Sequence, residues 1–125
     1  MDTSRARPRR VASEIMRLVN DMLLTEIKDP RLDGVRVNEV EVSGDLGVAK
    51  IYFGTVNPDD DPGPAMEGFA AARGFIRTKV GKALGIRRVP ELRFIHDERI
   101  RGEFELRRLI EEVKRREGTG SEEAD

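Results

Sequence analysis

The sequence predicts one α+β domain, a three-stranded sheet covered on one face by helices. Three observations lead there. Residues 11–27 place apolar side chains in steps of three and four, residues 35–42, 48–53 and 91–96 alternate at strand length, and residues 64–84 return to helical spacing. With 125 residues the chain has room for one core, and 38% hydrophobic against 5% aromatic residues makes that core mainly aliphatic.

Residues 1–7 read as disordered and residues 1–9 as a flexible basic arm, since Arg5, Arg7, Arg9 and Arg10 are opposed only by Asp2. Pro8 opens the first helix, where its missing N–H has no helical acceptor in any case. From Val11, the positions Ile15, Leu18, Val19, Met22, Leu23 and Ile27 make one buried stripe. Glu14, Arg17, Asn20, Asp21 and Glu26 occupy the other face. Asp29 precedes Pro30 and is pushed out of the helical region, so the helix is expected to end near Lys28.

Asp33-Gly34 turns the chain into a strand whose apolar phase slips between Val37 and Val40, the mark of a bulge or a change of covered face. Ser43-Gly44-Asp45 connects it to a second strand, with Ala49, Ile51 and Phe53 on one face and Lys50 and Tyr52 on the other. The two strands are expected to pair antiparallel. Residues 57–64, Asn-Pro-Asp-Asp-Asp-Pro-Gly-Pro, form a loop. Its three Asp lack the alternating ligands and terminal Glu of a calcium loop and read as solvated charge.

Pro64 or Ala65 begins the next helix, with Met66, Phe69 and Ala70 inward. Good helix formers through Arg73 are then followed by Gly74, which costs roughly 1 kcal/mol relative to Ala inside a helix. Because Phe75, Ile76, Val80, Ala83 and Leu84 resume the spacing at once, two helices joined at a kink at Ala72-Arg73-Gly74 are expected, without a loop between them. The missing Cβ allows a bend or the close approach of a phosphate backbone, and packing between crossing helices explains it equally. Gly85 stops the helix. Residues 91–96 form the third strand, with Leu92 and Phe94 on the core face, and a last helix from about Glu103 is expected to bury Leu106, Leu109, Ile110 and Val113. Residues 118–125 are acidic and read as disordered.

The charge pattern carries the functional signal. Residues 69–90 hold Arg73, Arg77, Lys79, Lys82, Arg87 and Arg88 without a single Asp or Glu, in a chain with 24 acids and 23 bases. Such an interval creates a local positive field despite a net charge of −1, and its natural partner is a polyanion, nucleic acid foremost. Residues 29–61 show the opposite bias, with eight acids against Arg31, Arg36 and Lys50. The chain has no Cys, which excludes disulfides and thiolate metal sites and fits a reducing compartment. No segment approaches the roughly 20 apolar residues of a membrane span, and the Arg-rich start lacks a signal-peptide core, so a cytoplasmic location is expected. An enzyme finds little support: His96 is the only His and ends a strand beside Asp97, and no nucleophile motif, Walker loop or three-ligand cluster appears. No cofactor or metal is expected.

Ile27-Lys28-Asp29-Pro30-Arg31-Leu32 is followed in order by Val40-Glu41-Val42-Ser43, Asp45-Leu46, Ala49-Lys50-Ile51-Tyr52, Gly74-Phe75-Ile76-Arg77, Gly81-Lys82 and Arg88-Val89-Pro90-Glu91-Leu92-Arg93-Phe94. This series closely resembles the bacterial ribosome-binding factor A family, from about Arg10 to Asp97. The resemblance implies a type II KH-like fold over residues 10–100, flanked by the basic arm 1–9 and by a C-terminal helix and acidic tail over 101–125. It implies that the usual Gly-x-x-Gly loop is replaced by an Ala-x-Gly kink, here Ala72-Arg73-Gly74, so that ordinary single-strand binding by a KH loop is not assumed. It further implies binding to the immature small (30S) ribosomal subunit and its 16S rRNA, support of late maturation, rRNA processing and growth after cold shock, and release aided by a GTPase. The RNA-facing candidates are Lys28, Arg31, Arg73, Arg77, Lys79, Lys82, Arg87 and Arg88, with Arg5, Arg7, Arg9 and Arg10 of the arm. Arg31 is alternatively placed to cap the first helix, and Lys82 to favour a helix C-terminus whatever its partner. The sequence departs from the family pattern after Asp97, where Arg99 and Phe104 stand, and the acidic end is expected to stay free or meet basic ribosomal proteins. A monomer is expected, since no heptad pattern is sustained. Two other readings stay open: a protein-interaction module with an acidic partner, and a generic KH-like binder of messenger RNA.

Overall fold

A computed structural model describes residues 3–57, 59–98, 106 and 108–116, with side chains from Arg7 onward. The order is α1 (Thr3–Thr25), a single-turn helix Pro30–Leu32, β1 (Arg36–Val42), β2 (Val48–Gly54), α2 (Gly63–Leu84) and β3 (Glu91–His96). The sheet order is β1-β2-β3, with β2 antiparallel to β1 and parallel to β3. Both α1 and α2 pack on the sheet face that carries Val37, Ala49, Ile51, Phe53, Leu92 and Phe94. The expected α+β domain with helices on one face is therefore present, and β2 is its central strand.

α1 starts earlier than Pro8 predicts. The helix runs from Thr3 with Pro8 inside it, so residues 3–9 of the expected flexible arm are helical. Ala6 and the arginines around it are strong helix formers, and Pro8 removes only one early backbone bond, which leaves initiation upstream favourable. At the other end α1 stops at Thr25, three residues before Lys28. The N–H groups of Glu26 and Ile27 both donate to the Met22 carbonyl, at 2.9 and 2.7 Å, which closes the last turn wide. Asp29 is extended (φ −111°, ψ 118°), as its place before proline requires, and caps the single-turn helix by accepting the Arg31 backbone N–H at 3.0 Å.

The phase slip in β1 is a bulge, with the register shifting between Val37 and Glu39. Asn20, assigned by periodicity to the solvent face, is half-buried and serves this bulge. Its amide donates to the Val37 carbonyl at 3.0 Å, and its oxygen accepts the Val37 N–H at 2.8 Å. β1 is an edge strand, so these two backbone groups have no neighbouring strand and α1 supplies both partners. Asn20→Ala should cost about 1–3 kcal/mol by leaving them unpaired. Urea unfolding checks this, and a loss below about 0.5 kcal/mol would mean that water replaces the side chain without penalty.

α2 is one helix. Its residues pass through Ala72-Arg73-Gly74 without interruption, so the two helices expected there are a single element of 22 residues. Its buried stripe is Ala65, Gly68, Phe69, Ile76 and Val80; Met66 and Ala70, expected inward, are exposed, as are Phe75 and Ala83 of the resumed apolar spacing. Neighbours in a helix point about 100° apart, and because α2 turns the Gly68–Phe69 and Ile76 directions to the core, Ala70 and Phe75 fall outside it. Gly85 closes the helix in the left-handed region (φ 64°), as expected. Three other glycines, Gly34, Gly68 and Gly81, are required by space; a Cβ on Gly81 would lie 2.9 Å from Val89 Cγ2. A Cβ on Gly68 would lie 2.8 Å from Leu32 Cγ, and one on Gly34, itself at φ 73°, would collide with Val56.

Residues 108–116 are helical, but Leu106, Leu109, Ile110 and Val113 are each 45–59% exposed rather than buried. The apolar sheet face is already closed by α1 and α2, which leaves this stripe no place in the core. The expected start of that helix near Glu103 and the tail from residue 118 lie outside the described residues.

Candidate nucleic-acid interface

The acid-free interval occupies most of α2, its C-terminal cap and the connection to β3. Arg73 and Arg77, one turn apart, share the flank of α2 beside the sheet's third strand, and the Arg73 guanidinium lies 5.9 Å from the Phe94 ring centroid. That cation–π contact holds the side chain along the protein surface while leaving its N–H groups free to donate outward. Lys79 follows Arg77 by two residues and so points roughly 160° away around the helix. It faces α1, with its ammonium 3.2 Å from Glu26 Oε1 and 5.6 Å from the Phe75 ring centroid. Lys82 sits in the last turn, where the carbonyl end of the helix favours a cation. Arg87 and Arg88 are exposed in the connection that follows, ahead of the buried Pro90.

The expected single basic edge is thus resolved into parts with different availability. Among the described residues no carboxylate pairs with Arg77, Lys82, Arg87, Arg88 or Lys28. Arg31 is engaged: its guanidinium binds Asp29 through Nε at 3.1 and 3.2 Å and Nη2 at 2.8 Å, with Glu67 at 3.9 Å. The alternative of Arg31 capping α1 gives way to this pairing, because α1 has already ended at Thr25. The hydrogen bonds from the Arg31 side chain and backbone N–H hold the Asp29 carboxyl below the ordinary carboxylate range. Arg7, Arg9 and Arg10 are exposed at the start of α1, and Arg9 borders a groove with Asn38 and Glu39. From Arg10 to the end of α1 is roughly 20 Å of helix, so these cations form a second cluster apart from Lys28. The Arg5 side chain lies outside the described residues.

Gly74 is the backbone feature of the site. A Cβ built there meets nothing within 4 Å, so no packing inside the domain requires glycine, and its φ is not positive. Helix crossing is thereby removed as its explanation. What remains is a smooth, side-chain-free spot on an exposed helix between Arg73 and Phe75. Sequence patterning missed Phe75 as a surface residue; the available signal was its position next to Ile76, which already belonged to the buried stripe.

The strand order, the helices on one face and an unbroken α2 across Ala72-Arg73-Gly74 define a KH-like α+β domain of type II, without a Gly-x-x-Gly loop at that place. A family model for ribosome-binding factor A matches residues 7–110. The chain belongs to the ribosome-binding factor A family. It is 36% identical over 105 residues to ribosome-binding factor A of Thiobacillus denitrificans, covering 84% of this chain and 85% of that protein. The Hydrogenovibrio crunogenus protein is 37% identical over 100 residues, covering 78% and 83%. A solution structure of a putative ribosome-binding factor A from Thermotoga maritima superposes with a TM-score of 0.62 at 33% identity, over 74% of this chain and 86% of that one. A homology model of Thermus thermophilus ribosome-binding factor A, fitted into a cryo-electron microscopy map of its 30S complex, shares the fold with a TM-score of 0.56 at 21% identity, over 67% of this chain and 88% of that one. The family match extends past Asp97, where the motif resemblance ends, to residue 110. Among the described residues no helix is long and apolar enough to cross a membrane.

Proposed function

We propose that this chain is a non-catalytic assembly factor that binds the immature 30S subunit through 16S rRNA and supports its late maturation and rRNA processing. The observation that carries this reading is the row of exposed cations from Arg77 through Lys82 to Arg87 and Arg88, which no carboxylate of the described residues neutralises. Family membership, and a relative fitted into a 30S complex, support the ribosomal partner. Residues 10–100 form the binding unit, with Arg73 and Lys79 flanking the row and Lys28 at its α1 side. The helical start of α1, with Arg5, Arg7, Arg9 and Arg10, makes a separate contact, and Arg31 contributes only if it leaves Asp29. Cytoplasmic action as a monomer, contacts with ribosomal proteins, a role in cold adaptation and release aided by a GTPase belong to the same reading.

Phosphate contacts supply most of the affinity, and RNA shape supplies the specificity. With about five phosphates engaged, the log-log dependence of binding on salt should have a slope of roughly −3.5 to −4.5. Sedimentation of the protein with purified small and large subunits at several salt concentrations, followed by ribonuclease digestion, tests this. Selective, salt-steep and nuclease-sensitive comigration with the small subunit is expected. Binding that is indifferent to salt, or that survives destruction of the RNA, would replace the RNA with a protein partner.

Gly74 offers a second test because its two effects run in opposite directions. Gly74→Ala removes an exposed helix glycine and should stabilise the domain by about 0.5–1 kcal/mol. The same methyl group stands where an RNA backbone approaches, and binding to the small subunit should weaken about tenfold. A variant that is stabilised and binds normally would show that no close approach occurs at this position.

A further inference from the structure

Phe75 is placed unlike the other phenylalanines of the described core. Phe53 and Phe69 are 0% exposed and Phe94 is 5% exposed, whereas Phe75 is 43% exposed. Lying next to Ile76, it is turned roughly 100° off the buried stripe of α2, towards the end of α1. Helical side chains lean towards the preceding turn, so the ring overhangs Ala71 and Ala72. With these alanines and Ile27 it lines an open groove of about 270 Å³ between α2 and the segment after α1. The groove has an apolar floor, the Phe75 ring on one side, with the Lys79 ammonium 5.6 Å from the ring centroid, and a charged rim. Its two carboxylates are both occupied, Glu26 by Lys79 at 3.2 Å and Asp29 by Arg31 at 2.8 Å. Lys28, on the rim, is exposed and has no ion-pair partner among the described residues.

We propose that this groove receives one unpaired nucleobase of the bound RNA, stacked on Phe75, with the adjoining phosphate on Lys28. The inference rests on the RNA-binding reading and assigns it a base contact that charge alone does not supply. A flat aromatic wall with small residues at its foot accepts the π-face of any base, and a cation beside it accepts the phosphate that accompanies the base. A paired base has both faces covered by its neighbours, so the groove selects a bulged or flipped nucleotide. Gly74, immediately before Phe75, keeps the approach to the ring free of side-chain atoms.

The chain contains no Trp, so Phe75→Trp introduces a single indole reporter at the site. It would be titrated at low salt with an RNA hairpin carrying one bulged adenosine, the same hairpin with an abasic nucleotide at the bulge, and a fully paired hairpin. Indole emission should be quenched by the bulged adenosine and changed little by the other two. Phe75→Ala should bind the bulged hairpin and the small subunit about tenfold more weakly than the parent, with affinity for the abasic hairpin unchanged, while Phe75→Tyr retains binding. As an exposed side chain, Phe75 can be truncated without loss of the fold, which urea unfolding verifies. Equal quenching by all three hairpins, or unaltered small-subunit binding by Phe75→Ala, overturns the stacking contact. Arg73→Glu with Arg77→Glu should weaken all three hairpins alike, so that result together with a silent Phe75→Ala removes the stacking and keeps the RNA-binding reading. No binding of the parent protein to any hairpin or to the small subunit removes both.

Discussion

Arg73→Glu combined with Arg77→Glu should reduce small-subunit binding by about 100-fold or more. The two guanidiniums occupy one flank of α2 a turn apart, and each can donate charge-assisted hydrogen bonds to a phosphate, worth about 1.5–3 kcal/mol apiece. Losing two such contacts is about 3 kcal/mol at the least, and the added carboxylates repel the backbone they replace. Part of the change is structural, because Arg73 also lies 5.9 Å from the Phe94 ring centroid. An exposed contact of that kind contributes only about 0.5–1 kcal/mol to stability, so the double variant should remain folded. Lys79→Glu is the informative control. Lys79 already pairs with Glu26 at 3.2 Å, and its reversal should affect binding less than either arginine. Pelleting assays with a circular dichroism check of folding decide the matter, and a folded double variant that binds normally would place the RNA on another face.

The largest expected effect on stability is at Phe69, where Phe69→Ala should cost about 3–5 kcal/mol. Its ring is 0% exposed, stacks on Phe94 with centroids 4.4 Å apart and planes at 9°, and meets Phe53 at 5.0 Å in a tilted arrangement. Truncation therefore leaves a cavity between α2 and both β2 and β3, and removes two aromatic contacts at once. Against a total stability of about 5–15 kcal/mol, such a loss brings the domain close to its unfolding threshold. Urea denaturation of Phe69→Ala beside Phe75→Ala gives the contrast, since the second ring fills no core space. A Phe69→Ala loss below about 1 kcal/mol would show that the site collapses without penalty and that α2 is held mainly by other contacts.

The two phenylalanines also mark what the sequence reveals and what it withholds. Strand alternation in Ala49, Ile51 and Phe53 and in Leu92 and Phe94 is local, and each residue is buried as the pattern implies. The irregularity in β1 is legible for the same reason, since the phase slip between Val37 and Val40 announces a bulge or a change of covered face, and the register shift makes it a bulge. Pairing direction is not local. Nothing in residues 91–96 says that they lie parallel to β2, because that depends on where a 22-residue helix delivers the chain. The start of α1 escapes local reading because competing effects nearly balance at Pro8, and the facing of Asn20 escapes it because a tertiary contact with Val37 decides. The C-terminal stripe from Leu106 to Val113 has the spacing of a packed helix, yet periodicity cannot tell whether a face remains to pack against. At the candidate interface the sequence located the cations, but it could not tell that Arg31 and Lys79 are paired within the domain while Arg77, Lys82, Arg87 and Arg88 are not.

The parallel pairing of β2 with β3 also constrains the order in which the chain can assemble. α1, β1 and β2 are contiguous and can associate through short connections, but β2 then presents Ala49, Ile51 and Phe53 and one open edge until residue 96 has been synthesised. Contacts closed across so long an interval form late, and a nascent chain that ends before Glu91 is an unfinished sheet with a template for pairing with its neighbours. Slowed translation through α2 should therefore favour aggregation, whereas the same delay after His96 should be harmless.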